Sequence, residues 1–160
     1  MHPQIFSETH PLEEVLVWGE PGIEALLGQL LPKSKSLFFS YYEVPEAREQ
    51  FRHLQALIEG EGIKVIRAKD AVARVLGNKN IENAPSNRIE LESLLLQRAN
   101  ELYETYRHQK IADLEKEGIK HDIDEIYEQI KVDIKQTLEE DIQTYGEKSA
   151  VQLNYLLSLS

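Results

Sequence analysis

Apolar residues occur along this chain in two different rhythms, and the change falls near residue 80. Glu14 to Trp18 reads EVLVW, a run of β-forming residues with apolar neighbours on both sides of the pleat. That run predicts a strand buried on both faces. Gly19, Pro21 and Gly22 break it, and Ile23–Leu31 has the length for two helical turns before Pro32. Pro45 suits the first turn of a helix, where a missing N–H costs nothing. Ala47, Phe51, Leu54 and Ile58 follow at helical spacing as far as Gly60. Gly62 then leads into Ile63, Val65 and Ile66, a second strand. Strand, crossover helix and strand make a parallel βαβ unit. Asp70 is placed to cap a short helix through Leu76.

Beyond this point the period is helical throughout. Gly77–Asn87 (GNKNIENAPSN) is rich in turn formers and predicts a linker. Asn87 and Glu90 have capping-box spacing, and Leu91, Leu94, Leu95, Leu102, Tyr106, Ile111 and Leu114 continue a helix to Gly118. Asp122 and Glu125 suggest a second box. Ile123, Tyr127, Ile130, Ile134, Leu138 and Ile142 mark one apolar face, ending at Gly146, and a shorter helix is expected over Lys148–Leu157. The expected organisation is an α/β module over 1–76, a linker over 77–87 and an α-helical subdomain over 88–160. Met1–Pro11 is polar and reads as an arm.

Charge removes whole classes of partner. The 160 residues carry a net charge of −10, which disfavours nucleic acid and acidic membranes, and Lys33 and Lys35 form no basic stripe. No apolar run is long enough for a membrane span, so a cytoplasmic location is expected. The absence of cysteine excludes disulfides, thiolate metal sites and a cysteine nucleophile within these residues.

Motifs for chemistry are sparse. His53 lies within the crossover helix, and His108 and His121 flank the first long helix. Without HExxH or paired-histidine spacing they read as surface residues, and no metal is expected. The acids of His121–Glu125 lack the glycine turn of an EF-hand loop and suit a capped helix start. Glu139, Glu140 and Asp141 read as a solvated run, because paired carboxylates do acid–base work only when burial separates their pKa values. Ser7, Ser34, Ser36 and Ser40 have no nucleophile-elbow context. Gly19 and Gly22 do not make a dinucleotide loop, so no cofactor is expected. Phe38, Phe39, Tyr41 and Tyr42 form the densest aromatic patch. It reads as loop packing, or as a lid or interface.

Four places in this order resemble the guanidine-modifying enzymes, the arginine deiminase and amidinotransferase superfamily. The strand and turn Val15-Leu16-Val17-Trp18-Gly19-Glu20-Pro21-Gly22 resemble the family's opening strand. Leu37-Phe38 resemble the pair in its following loop, Ala47, Phe51 and Leu57 its first helix, and Gly62-Ile63-Lys64-Val65 its second strand. The resemblance implies the first part of a pentein-type α/β propeller, with residues after Asn87 standing where bacterial arginine deiminases carry a helical insertion. It implies chemistry at a guanidino carbon, by hydrolysis or transfer. Leu37 and Phe38 become substrate-loop candidates that exclude water, and Phe39, Tyr41 and Tyr42 become interface candidates. Phe39 to Tyr42 depart from the family's paired aspartates. The family's carboxylate motif would be expected shortly beyond Leu153–Leu156, and its histidine and cysteine later still. The expectation is therefore an N-terminal fragment, a separately encoded subunit or a truncated relative, without catalytic residues and inactive alone. Its partner would be the remainder of the enzyme or another copy, and its ligand, once completed, a guanidino small molecule. The alternatives are a protein-interaction domain and a small-molecule sensor.

Overall fold

The computed structural model describes residues 11–36 and 42–159. Two short strands and six helices follow in the order β1 (Glu14–Val17), α1 (Ile23–Gly28), α2 (Val44–Gly60), β2 (Lys64–Arg67), α3 (Ala68–Leu76), α4 (Arg88–Glu117), α5 (Ile123–Tyr145) and α6 (Glu147–Ser158). The chain is mostly helical, with one small parallel sheet. β1 pairs with β2 in the register Glu14↔Lys64 to Val17↔Arg67, and the Lys64 N–H extends it by donating to the Glu13 carbonyl at 2.9 Å. Parallel strands need a long crossover, which α1, the loop after it and α2 provide.

The expected burial of β1 on both faces is not what the fold provides. Leu16 is 70% and Trp18 45% exposed, because no further strand or helix among the described residues covers that side. The α2 stripe is correspondingly thin. Leu54 is exposed and Phe51 half-buried, while Val44 and Arg48 are the buried positions.

The core lies instead around α1. Ile23, Ala25, Leu26, Leu27 and Leu30 are all buried, and they join Leu91, Leu95, Ala99, Ile123, Ile126, Ile130, Ile134, Leu138 and Val151 in one cluster. A helix with so little polar surface must be enclosed, and α4, α5 and α6 enclose it. A second, smaller cluster seats Ala73 and Leu76 of α3 on Leu153 of α6.

Local chemistry explains the helix ends. Asn87 accepts from the Glu90 N–H at 3.0 Å, and the Glu90 carboxylate closes on the N–H and hydroxyl of Ser86. Gly118 stops α4 in the left-handed conformation at φ 69°, with the Ile119 N–H donating to the Leu114 carbonyl. Asp122 caps α5 through the Asp124 N–H rather than that of Glu125. Asp70 does not cap α3. The cap position belongs to Arg67, and the Asp70 carboxylate accepts from the Tyr145 hydroxyl at 2.7 Å. The turns over 77–87 are tied to α6 by Gln152, which accepts from the Ile81 N–H and donates to the carbonyls of Leu76 and Lys79.

Candidate functional site

In open α/β folds, ligand clefts lie beyond the carboxyl ends of parallel strands. At that end of β1 and β2 the chain gathers an ionic cluster around Glu20. The turn after β1 delivers Glu20, and two positions one helical turn apart on α2 deliver Arg48 and Arg52. The end of β2 gives Arg67, the first turn of α3 gives Lys69, and α5 adds Glu140. Gly19 makes the turn possible. Its φ of 131° is one L side chains rarely adopt, and a Cβ there would lie 3.1 Å from the Lys69 Cβ.

Arg52 grips the Glu20 carboxylate with both ends of its fork, Nε at 3.0 Å and Nη2 at 2.9 Å. Arg48 Nε adds a bond at 3.2 Å, and Arg67 Nη1 lies 3.6 Å away. Arg48 also donates to Thr137 at 3.1 Å and pairs with Glu140 at 2.9 Å. Burial alone would raise the Glu20 carboxyl, but the hydrogen bonds and charges of Arg52 and Arg48 hold it below the usual carboxylate range. Lys69 is buried, and its ammonium donates to the Glu20 carbonyl at 3.3 Å. It fills the space that a side chain on Gly22 would need, 2.6 Å from a Cβ built there.

The cleft beside this cluster holds about 80 Å³ and is lined by Arg52, Arg67, Lys69, Glu140, Asp141 and Tyr145, among others. Glu20 is the carboxylate at the centre of this cluster at the strand ends, and the chain's own guanidinium groups occupy it. A carboxylate so saturated with donors is a poor proton acceptor. The arrangement locks α2 and α5 to the strand ends.

This cluster corrects the reading of Glu139–Asp141 as a solvated run. Glu139 faces outward, but Glu140 pairs with both arginines, and Asp141 is 5% exposed and accepts from Asn154 at 2.9 Å. Successive helix residues turn by about 100°, so three in a row span about 200°, and on α5 that arc carries Asp141 round to the packed side. The cluster itself escaped the sequence reading because Glu20 lies 28 and 32 residues from its arginines. The Arg48–Arg52 spacing was its one local sign.

The other candidates sit apart. Leu37, Phe38, Phe39 and Tyr41 lie outside the described residues. Tyr42 packs against the core cluster, and burial raises its hydroxyl pKa. His53 and His108 are exposed on α2 and α4, and His121 is exposed in the connection between α4 and α5. At the acidic start of α5, Asp124 is engaged by Arg107 at 3.0 Å through both oxygens and by the Tyr103 hydroxyl at 2.7 Å. Tyr103 and Tyr127 stack beside it with centroids 4.2 Å apart. Among the described residues no group of three or more acids and histidines is placed to hold a metal ion, and no helix is long and apolar enough to cross a membrane. No protein-family model matches this chain, and neither a curated protein nor a solved structure does so.

Proposed function

We propose that this chain is the opening α/β module and helical insertion of a guanidino-modifying protein of the arginine deiminase and amidinotransferase kind. On this reading it supplies scaffold and part of a cleft wall, and no chemistry of its own. The observation that carries the reading is the uncovered parallel sheet, with Leu16 and Trp18 exposed at 70% and 45%. Parallel strands in α/β proteins are covered on both faces, and a two-stranded sheet alone is marginal in water. Further strands, from a continuing polypeptide or a separate subunit, would complete a pentein-type propeller around β1 and β2. The order of strand, Pro-Gly turn, helix and Gly-led strand supports that lineage. In the completed protein Leu37 and Phe38 would border the guanidino substrate and exclude water.

Catalytic silence of the isolated chain rests on two features. It has no cysteine, and Glu20 is saturated by its own arginines. The pure chain incubated with arginine or agmatine is expected to release neither ammonia nor citrulline; measurable release overturns the claim of silence. The lineage is tested in the natural gene and its neighbours, where aspartate, histidine and late cysteine motifs are expected. Their absence there turns the exposed face into the docking surface of a non-enzymatic interaction domain, the second reading. Association through Leu16 and Trp18 without any guanidino chemistry would favour that reading.

A further inference from the structure

A larger cavity lies away from the strand ends, between α1, the start of α2 and α5. Its volume is about 400 Å³, within the range of small-molecule pockets. Leu26, Ile126 and Ile130 give it an apolar floor, while Glu43, Gln129, Asp133 and Gln136 bring polar groups to it. Two features make it more than a surface groove.

The first is Gln29, which is 2% exposed and lines the cavity. The Tyr42 hydroxyl touches its amide, but among the described residues neither amide atom has a partner at full hydrogen-bond geometry. A buried amide left unpaired is costly, and native folds rarely keep one without a purpose. The second is the sign of the lining. Among the described residues that line it, the charged ones are Glu43 and Asp133, and none is Lys, Arg or His. Asp133 is 6% exposed and accepts from Gln129 at 2.9 Å, and Gln136 donates its amide N–H to Glu140. Both glutamines thus direct donors to carboxylates and retain acceptor oxygens. The N-terminus of α2 opens nearby, but Pro45 has no N–H to offer and Glu43 and Glu46 surround it.

We propose that this cavity binds a small organic cation, an ammonium or guanidinium compound. Its charge is held between Asp133 and Glu43, the Gln29 carbonyl accepts one of its N–H groups, and its carbon chain lies on Leu26, Ile126 and Ile130. The site does not depend on the lineage proposed above, since it is built from α1 with its C-cap Gln29, α2 with its N-cap Glu43, and α5.

The test is calorimetric titration and thermal melting of the full chain at fixed ionic strength, with putrescine and agmatine as probes. A neutral diol and a dicarboxylate of similar length are the controls. Saturable binding and a raised melting temperature are expected with the two cations and not with the controls. Asp133→Asn, which removes a charge that burial disfavours and so should fold well, is expected to weaken binding about tenfold or more. Glu43→Gln, at an exposed position, should weaken it by less. No saturable binding at millimolar cation, equal response to the diol, or unchanged affinity in both variants would overturn the site. Cation binding that vanishes when salt matches the probe's ionic strength counts equally against it, since it would reflect only the net charge of the chain.

Discussion

Glu20 and Asp133 are both buried carboxylates, and their surroundings drive them in opposite directions. Glu20 is held charged by Arg52 and Arg48. Glu20→Gln should cost about 2–3 kcal/mol in urea unfolding. This is less than a fully buried pair, because Arg52 is half exposed and Arg48 keeps Glu140. The folded pKa of Glu20 lies below its unfolded value, so its stabilisation is full above about pH 4.3 and is lost as pH falls from there through the folded value. The gap between wild type and the variant should therefore close on acidification. Burial, followed by the charge of Glu43, raises Asp133. Its ionisation destabilises the fold as pH rises above about 3.9, the unfolded value. Asp133→Asn should accordingly melt higher than wild type at neutral pH and no higher in acid. Neither carboxylate was identifiable from its sequence neighbours. Glu20 sits in the turn after β1 and its arginines arrive from α2, while Asp133 lies between Ile130 and Ile134 of α5 and is raised by burial against other elements, although its hydrogen-bond partner Gln129 is on its own helix.

The helices were the legible part of the chain, and so were most of their ends. Asn87 lies next to everything it bonds, so its role could be read locally. Asn87→Ala should cost about 1 kcal/mol, seen as a lowered unfolding midpoint with an unchanged denaturant slope. Asp70 misled for a corresponding reason. β2 runs straight into α3 with no turn between them, and the Lys69 N–H is taken by the Trp18 carbonyl. The first turn of α3 is thus partly satisfied by β1, and the Asp70 carboxylate turns to Tyr145, 75 residues away. Periodicity located the α5 face correctly, with Ile123, Ile130, Ile134 and Leu138 all buried. It missed α1 as the centre of the molecule. Six residues between a turn and a proline show too little period to reveal burial on every side.

At the scale of the whole chain, composition shifts near residue 80 while packing runs across it. α1 belongs to the first half of the sequence, but its partners Leu91, Leu95, Ile126, Ile130, Ile134 and Val151 belong to the second. α3 likewise rests on Leu153 of α6. Without α4–α6, Ile23, Leu26, Leu27 and Leu30 would face water beside a two-stranded sheet that cannot stand alone. Burying those four side chains is worth roughly 1.5–3 kcal/mol each, as much in sum as the stability of an ordinary small domain. A fragment spanning residues 11–86 should therefore lack cooperative thermal unfolding and show collapsed amide dispersion in NMR spectra. Adding a separate 87–159 fragment should restore both. An 11–86 fragment that melts cooperatively by itself would mean that α1 finds its core within the α/β module, and that the helices after Asn87 are an appendage rather than its enclosure.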